Sequence, residues 1–269
     1  MRGLGVNVSE QQEIIRVAHA MADAAREAIL PLFRQPGLAA SNKDAQGFDP
    51  VTEADRGAER AMRAILAAER PQDAILGEEY GASDGRSGLT WVLDPIDGTR
   101  GFISGTPTWG VLIAVADASG PVFGLVDQPF VKERFVGGFG LAEVDGPQGV
   151  QPLACRPESR LQDATLFTTF PEVGTPQEAA AFREVAARAR LTRYGMDCYA
   201  YALVAAGQVD LVIEAGLNAY DIQAPIAVIA AAGGIVTDWQ GGPAHQGGRV
   251  LAAANATVHA ETLAILKRY

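Results

Sequence analysis

Trp91-Val92-Leu93-Asp94-Pro95-Ile96-Asp97-Gly98-Thr99-Arg100 decides how the rest of the chain is read. Its first residues have the apolar, β-rich character of a buried strand, and it ends in two carboxylates followed by a Gly-Thr turn. Pro95 stiffens the spacer between Asp94 and Asp97, so both acids can serve one cluster of hard, oxygen-seeking cations. The N–H groups of Gly98 and Thr99 open the next short helix and can face an anion. Metal and phosphate would then meet at one turn, as metal-assisted hydrolysis of a phosphate monoester requires.

Three outlying segments complete that picture. Ile75-Leu76-Gly77-Glu78-Glu79-Tyr80 is an apolar strand ending in paired acids, and Asn218-Ala219-Tyr220-Asp221-Ile222 places an acid where a helix begins. Pro50-Val51-Thr52-Glu53-Ala54-Asp55 has the spacing of a helix capping box. Together with the 91–100 stretch, these segments resemble the inositol monophosphatase superfamily of magnesium-dependent, lithium-sensitive phosphatases, over most of the chain.

The resemblance implies a set of roles. Glu78, Asp94, Asp97, Asp221 and the backbone carbonyl of Ile96 would hold two or three Mg2+ ions, with Glu78 also touching the nucleophilic water and Glu79 standing behind it. Thr99, paired with Asp55, would orient that water, and the Gly98 and Thr99 amides would bind phosphate oxygens. Attack would be direct, without a phospho-enzyme. The resemblance also implies a small phosphomonoester as partner and a homodimer.

Each acid has a plainer reading as well. Asp55 suffices as the third helical residue of the Thr52 capping box, Asp221 and Asp197 as helix N-caps, and Glu78-Glu79 as a solvated turn. Haloacid dehalogenase phosphatases offer another rival, but their paired aspartates stand two apart and these stand three apart. The run Ile222-Gln223-Ala224-Pro225 departs from the small residues usual after the family's C-terminal signature, which bears on helix packing more than on ligation.

Composition narrows the classes further. A chain of 269 residues with 48% hydrophobic content can bury a substantial core, and its net charge of −10 opposes nucleic-acid binding. Cys155 and Cys198 suggest no disulfide framework, and neither has an arginine six positions on, as a cysteine-nucleophile phosphatase loop requires. His19, His245 and His259 lie outside every motif, which argues against histidine nucleophiles and histidine-rich metal sites. No window approaches the ~20 apolar residues of a membrane span, and residues 1–7 lack a signal-like pattern. A soluble, cytoplasmic protein is expected.

Periodicity predicts helices over 9–33 (halting near Gly37) and from Thr52 onward, with a polar loop from Ser41 to Pro50 bordering the site. Strands are expected around 74–76, 91–93, 109–116, 121–127 and 133–137, giving an antiparallel first half, residues 1–145. In residues 146–269, strands 164–168 and 209–214 alternate with helices 176–190, 197–206, 222–232 and 258–267, completing the site. The fold class is α/β (α+β-type), a layered αβαβα sandwich of the sugar-phosphatase kind.

Substrate cues are local. Thr99 to Gly110 looks most like the histidinol-phosphate phosphatase branch. By the same resemblance, Glu214 stands at a substrate-contacting place and Asp197, within Tyr194-Gly195-Met196-Asp197-Cys198-Tyr199, adds a carboxylate near the expected substrate pocket, with Arg100 a further substrate-binding candidate. Two carboxylates suit the ammonium and imidazole of L-histidinol phosphate better than the hydroxyls of inositol. An inositol-1-phosphatase or broad-specificity relative ranks second and a 3′-phosphoadenosine 5′-phosphate phosphatase third. A non-catalytic metal- or phosphate-binding protein is the reading from another class.

Overall fold

The computed structural model describes residues 6–35, 41–42 and 50–269. Two amphipathic helices come first, α1 (Val8–Ile29) and α2 (Glu53–Glu69). Between them, β1 (Ser41–Asn42) pairs antiparallel with β2 (Pro50–Val51). The rest of the expected polar loop, the halt near Gly37 and the first five residues lie outside the described residues. α1 stops at Ile29 rather than at Phe33, because Pro31 brings no N–H to the ladder and Arg34 turns the chain at φ 59°.

The first sheet is eight-stranded. Its members are β3 (Ala74–Gly77), β4 (Gly81–Ser83), β5 (Thr90–Asp97), β6 (Gly110–Asp117), β7 (Gly120–Gln128), β8 (Glu133–Gly138), β9 (Leu141–Gly146) and β10 (Gly149–Pro152). In space they run β10-β9-β8-β7-β6-β5-β3-β4, with α3 (Thr99–Ser104) leaving the end of β5. The sheet is antiparallel except where β3 joins β5 in parallel, a departure from the all-antiparallel expectation. That exception has a function, since parallel neighbours end on the same side and bring Glu78 beside Asp94. Because β10 belongs to this sheet, the architecture changes after Pro152 instead of at 145/146.

The second sheet has the order β12-β11-β13-β15-β14, from β11 (Thr165–Thr168), β12 (Leu191–Tyr194), β13 (Leu211–Leu217), β14 (Ile235–Thr237) and β15 (Gly248–Ala253). Its helices are α4 (Pro176–Ala186), α5 (Asp197–Ala205), α6 (Ala219–Ala231) and α7 (Ala256–Leu266).

Strand alternation sorts the layers. Trp91, Leu93, Val111, Ile113, Val115 and Phe123 face α1 and α2, against Ile14, Met21, Ala58 and Met62. Their neighbours Val92, Leu112, Ala114 and Val126 face the other way, onto α5 and α6, where Val212, Val250 and Ala252 of the second sheet close the same core. Leu211, Ile213, Leu251 and Ala253 then turn to α4 and α7. The result is the expected αβαβα stack. Each fully buried aliphatic or aromatic side chain in it contributes about 1.5–3 kcal/mol of burial free energy. Among the described residues no helix is long and apolar enough to cross a membrane.

α6 shares with α5 the layer between the two sheets, and glycines let it approach the first sheet. A Cβ on Gly124 would stand 2.4 Å from the Ala224 carbonyl oxygen, and one on Gly137 2.5 Å from the Val228 Cα. Pro225 sits inside the helix and has no N–H, so the carbonyl of Asp221 receives no bond from it.

Candidate active site

The turn after β5 is built by an interruption in the ladder. Asp94 lies opposite Leu112 and Asp97 opposite Gly110, with a register shift between them where Pro95 cannot donate. Residues three apart on a regular strand point to opposite faces; the bulge re-aims them, and the Ile96 amide bonds Asp94 Oδ1 at 3.1 Å. Gly98 follows at φ 85°, ψ 38°, where a Cβ would lie 2.8 Å from Asp197 Cβ, so both backbone angle and space demand glycine. α3 then begins at Thr99, its first amides without partners inside the helix. An aromatic group anchors it: Phe102 packs at 5.0 Å from Trp109 and 5.2 Å from Phe33.

Three other elements converge on this turn. The Glu78 amide bonds the Leu93 carbonyl at 3.1 Å, which puts Glu78 next to Asp94 at the strand ends. Asp221 enters from α6, where it is the third helical residue of a capping box on Asn218 and not the N-cap itself; its Oδ2 accepts the Asn218 amide at 2.7 Å. Carboxylate oxygens of Asp94, Asp97 and Asp221 lie within 4.8 Å of one another. Glu78, Asp94, Ile96, Asp97, Gly98, Thr99 and Asp221 line one open cavity.

From α2, Asp55 reaches the same place. Its Oδ2 accepts from the Thr52 amide at 2.8 Å and the Thr52 hydroxyl at 2.5 Å, while Oδ1 faces the Thr99 hydroxyl at 3.3 Å. The Thr99 hydroxyl also has the Ile96 carbonyl as an acceptor, at 3.1 Å. Its hydrogen is thus committed inward, and its lone pairs are what a water in the cavity would meet. The capping role of Asp55 and its contact with Thr99 coexist.

Electrostatics state what the cluster lacks. Burial first, then the neighbouring charges of Glu78, Asp97 and Asp221, push the Asp94 carboxyl far above its usual range. Asp97 is raised strongly by burial and then by Asp221, and Asp221 is pushed up to about 7 by burial, with Glu78 and Glu214 adding. Carboxylates gathered out of water without a counter-charge are costly. A hard divalent cation is the partner that such an all-oxygen donor set fits.

A second cavity of about 220 Å3 opens off the first and shares Asp97, Asp197 and Asp221 with it. Asp197, expected as an N-cap if structural, is instead the first residue of α5 after the cap Met196, and it holds φ 45°. Its Oδ2 accepts the Thr108 hydroxyl at 3.2 Å, and burial lifts its carboxyl to about 6 despite the help of Thr108 and Arg100. The next amide, of Cys198, bonds Asp97 Oδ2 at 2.6 Å. Glu214 lies on the far wall, bonded by the Thr169 amide at 3.0 Å and the Tyr201 hydroxyl at 3.2 Å, its carboxyl raised by burial to about 7. Arg100 is exposed at the mouth, stacked 4.9 Å over the ring of Phe170.

Sequence reasoning missed Glu59, Arg63, Thr108, Thr169 and Tyr201. Thr108 lies inside the Thr99–Gly110 stretch without having been singled out, and each of the five meets the site only through the tertiary fold.

Comparison with known proteins agrees with the geometry. The model of the inositol monophosphatase family matches residues 10–269. A bifunctional phosphatase, IMPL2 of the Arabidopsis thaliana chloroplast, is 41% identical over 235 residues, which are 87% of this chain and 66% of that protein. A histidinol-phosphatase of Streptomyces coelicolor is 33% identical over 94% of this chain and 97% of its own. A solved inositol monophosphatase of Zymomonas mobilis superposes with a TM-score of 0.84 at 39% identity, covering 97% of this chain and 99% of that one. The fold and the carboxylate site define a phosphomonoester hydrolase. The chain belongs to the inositol monophosphatase family, whose members are metal-dependent phosphatases acting on small phosphomonoesters.

Proposed function

We propose that this phosphatase uses magnesium, two or three ions per site, and that its substrate is L-histidinol phosphate. The observation that carries the substrate is the pair of acids, half-buried Asp197 and buried Glu214, on one small cavity that adjoins the Asp94–Asp97–Asp221 cluster. A leaving group bearing an ammonium and an imidazole offers these carboxylates charge-assisted hydrogen bonds, whereas inositol offers neutral hydroxyls. The histidinol-phosphatase among the relatives supports the same reading.

The proposed roles follow the donor atoms. Glu78, Asp94, Asp97, Asp221 and the Ile96 carbonyl would hold the ions, which when bound would offset phosphate charge and acidify a water. Thr99 would accept a hydrogen bond from that water on its oxygen while its own hydrogen stays on the Asp55 side, and a proton leaving along this path would end on Asp55. Burial, opposed by the Thr52 hydrogen bonds, already raises the Asp55 carboxyl, which favours its holding a proton. The Gly98 and Thr99 amides would receive phosphate oxygens at the start of α3. Asp197 and Glu214 would seat the leaving group, with Arg100 at the entrance. A homodimer is proposed from the family resemblance, and sedimentation of the purified protein tests the assembly.

Phosphate release from L-histidinol phosphate and inositol 1-phosphate, measured side by side, tests the assignment. We expect the former to be preferred and Asp197→Ala to narrow that preference by roughly one to two powers of ten while sparing a neutral monoester. A clear inositol preference would overturn the substrate and leave the phosphatase chemistry in place.

A further inference from the structure

Glu59 occupies the second turn of α2, four residues beyond Asp55, and is fully buried. Its carboxylate grips the turn that carries Glu78 and is shared with Arg63. Oε2 accepts the Glu79 amide at 2.7 Å and Oε1 accepts the Tyr80 amide at 3.2 Å. Arg63 holds Glu59 Oε1 at 2.7 Å and continues to the Gly81 carbonyl and, at 3.1 Å, to the Ser83 hydroxyl on β4. Gly77 leaves room for this grip, because a Cβ there would lie 2.0 Å from Glu59 Oε1.

We infer that Glu59 is a positioning residue for the metal site, setting the place of Glu78 by clamping the two amides that follow it. The inference rests on the metal reading above. One face of α2 then fixes both parts of the water-activating machinery: Asp55 restrains Thr99, and Glu59 restrains Glu78. Arg63 has a different task, joining β4 to the helix and balancing the buried charge. A charged acceptor on two successive amides makes a stiff clamp, and it lies in the shell directly behind a proposed ligand.

Metal-free wild type, Glu59→Gln, Gly77→Ala and Arg63→Met are to be titrated with magnesium alone, binding read by calorimetry and folding by thermal unfolding. Glu59→Gln puts an amide donor where an acceptor is needed; Gly77→Ala displaces the same carboxylate without removing its charge. Both are expected to bind magnesium about ten- to a hundredfold more weakly and to raise the magnesium needed for half-maximal turnover by the same factor, with KM at saturating magnesium little changed. Amide hydrogen exchange at Glu79 and Tyr80 should quicken in both. Arg63→Met should lose thermal stability yet keep magnesium affinity within about threefold. Unchanged affinity in Glu59→Gln and Gly77→Ala, or losses in all three that simply track stability, would overturn the inference, and Gly77→Ala decides if Glu59→Gln does not fold. Asp94→Asn serves as reference: normal magnesium binding there would mean that the metal reading itself had failed.

Discussion

Stripped of metal with a chelator, the protein should lose stability as pH rises from 5 to 8, against the usual behaviour of acidic proteins. Folding raises the Glu214 carboxyl from 4.5 to about 7, chiefly by burial, and Asp221 from 3.8 to about 7, chiefly by burial with Glu78 and Glu214 behind it. A raised folded-state value means that folding favours the protonated form. The associated stability is complete below the unfolded values and disappears as pH climbs through 7. Across pH 5 to 8, each carboxyl accounts for about 2–3 kcal/mol, or roughly 5 kcal/mol for the pair. In a chain of this length that corresponds to a fall in Tm of order 10 °C. Urea and thermal unfolding in chelator at both pH values would measure it. Magnesium at about a hundred times its dissociation constant should restore some 2.7 kcal/mol at pH 8. Asp221→Asn should show a shallower slope than wild type, since one of the raised groups no longer ionises. A metal-free stability that is flat or rising over this range, with the same slope in Asp221→Asn, would refute the reasoning.

Further outcomes are expected elsewhere. Asp94→Asn keeps the side-chain volume but removes a charge from the cluster, so it should abolish most magnesium-dependent phosphate release while leaving the circular dichroism unchanged; near-normal turnover at low magnesium would remove Asp94 from the site. Thr99→Ala should lower kcat by about a hundredfold or more with little effect on KM, because its hydroxyl acts on the water in the transition state; a change confined to KM would contradict that role. Asp127, fully buried and bonded by Arg26 at 2.6 Å and Arg134 at 2.7 Å, is tested by Asp127→Ala, which should cost about 3–5 kcal/mol in urea unfolding by stranding two guanidinium groups; a cost below ~1 kcal/mol would show the cluster to be solvent-screened.

What could be read from the sequence was what is local. The bulged turn, its two aspartates and its glycine are specified within a few residues, so Asp94, Asp97, Gly98 and Thr99 could be grouped before any fold was known. Asp221 and Asp55 were legible through the short motifs that carry the family resemblance, although Asp221 was read as an N-cap and proves to be the third helical residue of a capping box. Glu59 was not: an acid four residues before Arg63 on a helix reads as an ordinary solvated pair, and only the arrival of β3 and β4 buries it. The strand β15 escaped as well. Its Arg249-Val250-Leu251-Ala252-Ala253 is alanine-rich and favours helix locally, and pairing with β13 and β14 on both edges overrides that preference. The parallel join of β3 to β5 is a non-local contact that no turn signal announces.

The close seating of α6 has a consequence for how the molecule comes apart. This helix closes the core of the first sheet on one side and of the second on the other, and it approaches the first sheet over glycines that leave no lubricating side chain. Neither sheet can open without exposing the inner face of its counterpart. Unfolding should therefore be one concerted event, with α6 amides exchanging only through it, and the two halves of the chain expressed apart should each remain unstructured. Asp221 is carried on this helix, so the acid cluster should persist until that single event disperses it.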